Sequence, residues 1–429
     1  MPDYKKKNVK RAGKKRSSAQ KIDDISMRSK TIRRSEAEKK KQSATQKGSL
    51  RVVKGNKLRN RNRVRVITGL VATIVAAVLI FYFSLPTGIV DQINVFSSGF
   101  GSSQFPVSMA GSNTLTVDKH GSLFYCLSDT MVEGFNSGGK RILKSQHGFS
   151  APVMRTSATR ALIFDQGGIS YKVYGVNDVI IEKTTKKNII SGSIARCGAY
   201  AIATGAEGYA ACVTVYNKNG EQVYEWNSSV ELVSDVALSP NGKKLAVAVF
   251  SGENGVYKSK VYVLTFDSAS PIHTTEYEGK FIYSLQTNIN KGFFTVHSEG
   301  TDYTSWGRYS NKNFTTENSV RMYRGNSRFS LAVTTRSSDK KDNTLILFNK
   351  KGKQVSEIKW EQSITDAALV GSHIFILSDT KVYLIDKSGN TVRTGEAGFG
   401  GVRVVGISLE NAIVISDNIL NKVVLKSEK

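Results

Sequence analysis

The sequence predicts an all-β protein. Its main body reads as a β-propeller, eight blades by the turn count with seven as the alternative, behind a single transmembrane helix and a disordered basic tail. Three observations carry this. Over residues 105–429, short apolar, β-branched and aromatic runs alternate with turn clusters, without long helical periodicity. The turns recur at a period near 40 residues, which with four short strands per unit is the pattern of a propeller. Val66 to Leu85 are twenty consecutive residues without a charge. They make ~30 Å of helix, enough to cross the hydrocarbon core of a bilayer.

Residues 1–65 hold 24 of the 61 lysines and arginines but 5 of the 35 aspartates and glutamates, a net charge of +19. Tyr4 is the only aromatic in this tail. Such a segment buries too little apolar surface to offset the entropy of ordering. Its charge suits anionic lipid headgroups of the inner leaflet, at ~1 kcal/mol per basic residue near the surface. A nucleic-acid role is disfavoured, because no interleaved aromatics offer stacking platforms.

Residues 66–85 follow as the transmembrane helix and partner of the lipid bilayer. Arg59, Arg61, Arg63 and Arg65 stop at the start of the run. The positive-inside rule then places the N-terminus in the cytoplasm and residues 86–429 outside the cell membrane, in a single-pass topology. A cleaved signal peptide fits poorly, since 65 residues precede the run and Phe81–Pro86 offers no small-residue cleavage site. Residues 86–104 read as a Gly/Ser-rich stalk.

Residues 105–429 form the extracytoplasmic propeller. Leu127-Ser128-Asp129-Thr130-Met131-Val132 recurs 250 residues later as Leu377-Ser378-Asp379-Thr380-Lys381-Val382, and Ile415-Ser416-Asp417-Asn418 follows 38 residues after that. Equivalent turns fall at Asp165–Gly168, Thr204-Gly205, Ser251-Gly252, Ser298–Gly300 and Ser337–Asp339. A second series lies at Gly139, Asn177, Gly220, Ser268, Asn311, Gly352 and Gly389. The last unit shows three strands, around Val402–Ile407, Ala412–Ile415 and Lys422–Leu425. Phe105–Met109 is the natural donor of its missing outer strand, closing the ring and removing an open edge.

Two segments resemble known propeller repeats. Ser239-Pro240-Asn241-Gly242-Lys243-Lys244-Leu245-Ala246 is similar to the turn of WD-repeat-like propellers. Tyr216–Trp226 and Phe348–Trp360 are similar to quinoprotein-type repeats, whose hairpin ends in a docking tryptophan. The whole layout resembles an uncharacterised family of membrane-anchored propeller proteins of Gram-positive bacteria. That resemblance implies a fold and a location but no activity.

The chemistry-bearing residues are sparse. Cys126, Cys197 and Cys212 read as small core residues rather than a disulfide framework. His120, His147, His273, His297 and His373 stand in no metal-ligand spacing, and no nucleophile elbow, P-loop or calcium loop is present. No catalytic, cofactor-binding or metal-binding residue is therefore assigned, and no cofactor is expected. The candidate binding patch is Tyr303, Trp306, Arg308, Tyr309, Arg321, Tyr323 and Arg324, because Tyr, Trp and Arg concentrate at interaction hot spots. The plain alternative is that these side chains face neighbouring blades.

The expected function is a non-enzymatic binding or scaffold module for an extracytoplasmic protein or envelope polymer, including a polysaccharide. The competing class is an envelope-glycan-active or quinoprotein-like enzyme with its site in the propeller channel. Paired carboxylates of a glycan-active enzyme could meet across blades without a local motif. A quinoprotein site would be accompanied by adjacent cysteines, and this chain has no such pair.

Overall fold

The computed structural model describes residues 63–78 and 89–427, apart from 121, 158, 254, 288–290, 310, 316–317 and 337–340. The chain divides into two compact units, Met1–Phe83 and Ser84–Lys429. In the first, residues 63–78 form helix α1, where the Thr68 and Thr73 hydroxyls donate back to the carbonyls of Val64 at 2.9 Å and Gly69 at 2.7 Å. The rest of the uncharged run, residues 79–85, and residues 1–62 of the basic tail lie outside the described residues. Among the described residues no helix is long and apolar enough to cross a membrane.

The second unit opens with a helix, α2 (Ile89–Ser98), where composition suggests a plain stalk. A short strand follows, β1 (Val107–Ser108). Eight antiparallel sheets then succeed one another along the chain. Blade 1 is β2 (Thr114–His120), β3 (Leu123–Ser128), β4 (Met131–Asn136) and β5 (Arg141–Gln146). Blade 2 is β6 (Pro152–Thr156), β7 (Ala161–Asp165), β8 (Ser170–Tyr174) and β9 (Val179–Thr184). Blade 3 is β10 (Ile189–Ile194), β11 (Tyr200–Thr204), β12 (Ala211–Tyr216) and β13 (Gln222–Ser228). Blade 4 is β14 (Leu232–Leu238), β15 (Lys244–Glu253), β16 (Val256–Thr265) and β17 (His273–Glu278). Blade 5 is β18 (Ile282–Gln286), β19 (Gly292–His297), β20 (Gly300–Ser305) and β21 (Asn311–Thr315). Blade 6 is β22 (Val320–Gly325), β23 (Phe329–Thr335), β24 (Asn343–Asn349) and β25 (Gln354–Trp360). Blade 7 is β26 (Asp366–Val370), β27 (His373–Ser378), β28 (Lys381–Ile385) and β29 (Thr391–Glu396). Blade 8 is β30 (Gly401–Ser408), β31 (Asn411–Ser416) and β32 (Ile419–Val424), with β1 as its outer strand.

The burial pattern explains the sequence pattern. Second strands sit between neighbouring blades and are buried on both faces, so β3 and β19 are buried throughout. Outer strands β13 and β25 alternate instead, with one face against the next blade. Trp226 and Trp360, on these outer strands, pack on Tyr262 and Tyr383 in the third strand of the following blade, at 5.9 and 5.2 Å. This is the docking role that the repeat resemblance implies.

Four of the turns between third and fourth strands, in blades 1, 3, 6 and 7, share a device. In each of these four, an Asn or Asp carboxamide or carboxylate oxygen accepts backbone N–H groups two and four residues on, and a glycine three residues on takes positive φ. Asn136, Asn217, Asn349 and Asp386 are the acceptors; Gly139, Gly220, Gly352 and Gly389 are the glycines. Of the predicted turns, Ser337–Asp339 lies outside the described residues, and two others are displaced. Ser251-Gly252 lies inside the β15–β16 ladder, paired with Lys258 and Tyr257, and the reversal comes at Gly255 with φ 78°. Asn311 is paired with Thr304 in β21, and Tyr309, with φ 53°, turns the chain before it. In both cases the strands keep pairing beyond the first polar residues.

Ring closure follows the expected plan. Val107 pairs with Leu420 and Ser108 with Ile419, and the Met109 N–H donates to Asn418 O at 2.8 Å. Buried Glu133 accepts N–H bonds from Ala110 at 2.8 Å and Gly111 at 3.1 Å, and pairs with Arg141 at 2.9 Å. Arg141 in turn donates to Ser108 O. A second tie was not foreseen: β33 (Lys426–Ser427) leaves blade 8 and pairs with β29 of blade 7.

The three cysteines are free. Cys126 is buried as a small core residue; Cys197 and Cys212 are half-buried. His147 is buried and satisfied, with Nδ1 accepting from Phe149 N–H at 3.0 Å and Nε2 at 3.2 Å from Ser128 O.

Candidate functional site

The inner strands β2, β6, β10, β14, β18, β22, β26 and β30 line the central channel. Among the described residues they carry Lys119, Arg155, Arg321, Arg324 and Arg403 against Asp118, Asp235 and Asp366. All three carboxylates are engaged. Asp118 accepts from Thr156 of blade 2. Asp235 accepts from Ser191 of blade 3, from Val236 N–H at 2.9 Å and from Leu285 N–H of blade 5 at 2.8 Å. Asp366 accepts from Arg324 of blade 6 at 2.6 Å and from Val404 N–H of blade 8 at 3.0 Å. Each therefore bridges neighbouring blades, and the charge left over in the channel is positive.

That excess gathers at one mouth, where the inner strands of blades 5 to 8 begin. A cavity of about 380 Å³ there is lined by Tyr283, Gln286, Arg321, Tyr323, Arg324, Asp366 and Arg403, among others. The guanidiniums are held in place. Arg324 donates through Nε to Ala367 O at 3.2 Å, and Arg321 through Nη2 to Ile364 O at 2.8 Å. Arg403 donates to Val402 O at 2.8 Å and across the closure seam to Leu115 O. Arg321 Nη1 has no protein partner among the described residues, and Arg403 has no carboxylate partner among the ion pairs of the described residues. Nη1 of Arg321 is itself buried; Arg324 and Arg403, fixed and partly exposed, are the guanidiniums placed to bind a carboxylate or phosphate with little further ordering. Burial pushes the Tyr323 hydroxyl well above its usual pKa, so it stays neutral.

The predicted patch divides. Arg321, Tyr323 and Arg324 line the cavity. Tyr303 and Trp306 do not: they are 3% and 7% exposed and belong to the seams on either side of blade 5. Tyr303 stacks near Phe294 at 5.2 Å, and Trp306 packs on Phe293 at 4.7 Å. Tyr309 lies parallel to His273 at 5.2 Å and accepts from Lys244 Nζ at 2.6 Å. Arg308 is exposed in the β20–β21 turn, away from the cavity. Tyr283, Asp366 and Arg403 complete the mouth from three other blades.

Tyr303 also makes a prediction. Its ring covers Gly352, whose φ is +66° and where a Cβ would collide with the ring. Gly352→Ala adds both a clash and left-handed strain, so a loss of about 1–3 kcal/mol in urea unfolding is expected. Unchanged stability would show that this seam is loosely packed.

Among the described residues no group of three or more His, Cys, Asp or Glu is placed to hold a metal ion. The WD-like Ser239–Lys244 segment forms the turn between β14 and β15, with Ser239 Oγ accepting from Lys244 N–H at 2.9 Å.

The model of a family of unknown function, DUF5711, matches residues 107–425. The chain belongs to that family. The match begins at the first residue of β1 and ends one residue beyond β32, so it covers the ring from its borrowed strand onward. No curated protein matches. Among solved structures, the C-terminal WD40 domain of Sif2 is similar at 11% identity, covering 77% of this chain and 100% of that one with a TM-score of 0.50. The Dos1 propeller is similar at 12% identity, covering 77% and 96% with a TM-score of 0.49. A hydrazine synthase chain of Kuenenia stuttgartiensis aligns at 12% identity over 66% and 98%, with a TM-score of 0.40. At these identities the likeness concerns the fold alone.

Proposed function

We propose that this family member is a membrane-tethered, extracytoplasmic propeller that binds a protein partner through the arginine-lined mouth. The uncharged run Val66 to Leu85 and the arginines before it support the tether and its orientation. The observation that carries the binding role is the mouth itself. Arg321, Arg324, Arg403 and Tyr283 surround a recess with one carboxylate already paired, and Arg and Tyr are the side chains that anchor interfaces.

The turns around this mouth favour a protein over a polyanionic polymer. Among the described residues, the turns on this side of the ring carry eight aspartates and glutamates against five lysines and arginines. A polymer with an anion on every unit meets that rim as well as the recess, and like charges facing each other across an interface cost several kcal/mol. A protein presenting one or two carboxylates to the recess and a mixed surface to the rim avoids that cost.

The test is a photo-crosslinking amino acid at Tyr283 in the full-length protein in cells. Discrete protein adducts should form, and Arg403→Glu or Arg321→Glu should reduce them at least about tenfold, the scale of one lost charge-assisted contact. Identical adducts in both charge-reversed variants would sink the reading.

A further inference from the structure

The face opposite the mouth has a different character. It is formed by the turns joining first to second and third to fourth strands, and α2 lies on it. Arg160 Nε pairs with Asp91 at 2.9 Å, Ser98 donates to Asn177 at 3.0 Å, and Asn136 Nδ2 donates to the carbonyls of Ser98 at 3.1 Å and Gly101 at 3.0 Å. These bonds fix the polar side of the helix to blades 1 and 2.

The other side is apolar and bare. Ile93 is 57% exposed, Phe96 72% and Phe100, just past the helix end, 59%. Ile93 and Phe96, three residues apart in the helix, share one side with exposed Ser97, and Phe100 follows just beyond the helix end. Phe96 and Phe100 meet edge to face at 4.9 Å.

The surrounding turns are cationic. Apart from Arg160, they carry eleven lysines and arginines against five aspartates and glutamates among the described residues. Lys140, Arg196, Lys243, Lys291, Lys351 and Lys387 are examples, all exposed and spread over blades 1, 3, 4, 5, 6 and 7. The ring is thus polarised, basic where α2 lies and acidic around the mouth.

We infer that this face is a lipid-binding surface: the Ile93–Phe96–Phe100 stripe enters the outer bilayer interface, and the basic turns lie against anionic headgroups. The inference rests on the membrane tether proposed above. Leu85, the last residue of the uncharged run, is four residues before Ile89. That length of chain spans at most ~14 Å. If the run crosses the bilayer, α2 lies close to the lipid surface, within one or two screening lengths of its charges. Exposed apolar side chains on one side of a helix, with flanking cations, are the composition of an interfacial helix. A second copy of the chain covering the stripe is the competing occupant, but an eleven-to-five cationic surround would face itself in such a dimer.

The experiment uses the full-length protein reconstituted in vesicles of phosphatidylcholine and phosphatidylglycerol carrying a doxyl quencher high on the acyl chain. Phe96→Trp reports on the stripe. Val230→Trp is the control, on the opposite face and 81% exposed. An interfacial helix sits about 5–10 Å deep, within reach of the quencher, so roughly half of the emission added by Phe96→Trp should be lost while that added by Val230→Trp persists. Phe100→Trp should behave as Phe96→Trp does. Flotation of the same vesicles separates the two ideas. Protein that floats with Phe96→Trp unquenched, or with both positions quenched alike, overturns the lipid-facing assignment while leaving the tether standing. Protein that fails to float removes the tether and this inference with it.

Discussion

Deleting residues 105–110 should abolish a stable ring while leaving every complete blade's sequence intact. The segment supplies the outer strand of blade 8 through the Val107–Leu420 and Ser108–Ile419 pairs. Phe105, Val107 and Met109 are half-buried against a cluster that includes Phe135 of blade 1 and Ile415 and Leu420 of blade 8. Losing that contact costs about 3–5 kcal/mol on area and cavity grounds. Two further losses follow. Glu133 is left buried without the Ala110 N–H, and β32 becomes an open edge. Against a total stability of about 5–15 kcal/mol this is decisive. The expected readout is a broad transition at low urea and aggregation on size exclusion. Truncation after Leu425 is the matched comparison. It removes β33, whose two residues are exposed, and should cost no more than about 0.5 kcal/mol. Equal effects of the two deletions would show that neither end closes the ring in the way described.

The borrowed strand was legible because a three-stranded last unit needs a fourth, and Phe105–Met109 is the apolar run nearest the start of the domain. Blade number was legible for a similar reason. A turn carrying Asn or Asp with Gly three residues later is written locally, as at Asn217-Lys218-Asn219-Gly220 and Asp386-Lys387-Ser388-Gly389. What composition hid was pairing that outruns composition. Ser251-Gly252 reads as a turn, yet the hairpin continues to Gly255 because Tyr257 and Lys258 find partners across it. The helix Ile89–Ser98 was hidden because Gly and Ser dominate the residues after it, and because Asp91 is satisfied by Arg160, 69 positions away. The mouth was half legible. Arg321, Tyr323 and Arg324 stand together on β22, but Tyr283, Asp366 and Arg403 arrive from other blades. Their convergence depends on which residue of each unit lies on the inner strand, and that register is set by the ring, not by any local motif. Tyr303 and Trp306 misled for the converse reason: large aromatics serve seams as readily as surfaces, and periodicity alone does not separate the two.

Replacing Asp366 should separate what holds the mouth together from what would recognise a partner. Its carboxylate is 4% exposed on the side chain and spans three blades through Arg324 of blade 6 and Val404 N–H of blade 8. In Asp366→Ala, Val404 N–H loses its acceptor, while Arg324, a third exposed, turns to water and keeps its bond to Ala367 O. The buried N–H sets most of the cost, and the exposed guanidinium contributes less. The expected loss is about 2–3 kcal/mol in urea unfolding. Asp235 makes the same kind of bridge three blades earlier, to Leu285 N–H, and Asp235→Ala should fall in the same range. Removing Arg324 and Asp366 together should cost less than the two single changes combined, by about 0.5–3 kcal/mol, because the two side chains touch. Binding should move the other way. Asp366→Ala leaves Arg321, Arg324 and Arg403 in place and removes the carboxylate that occupies one of them, so crosslinking from Tyr283 should persist or rise although the ring is less stable. A residue that only braced the ring would show crosslinking falling in step with stability, and that outcome would mean Asp366 and its arginine serve the fold alone.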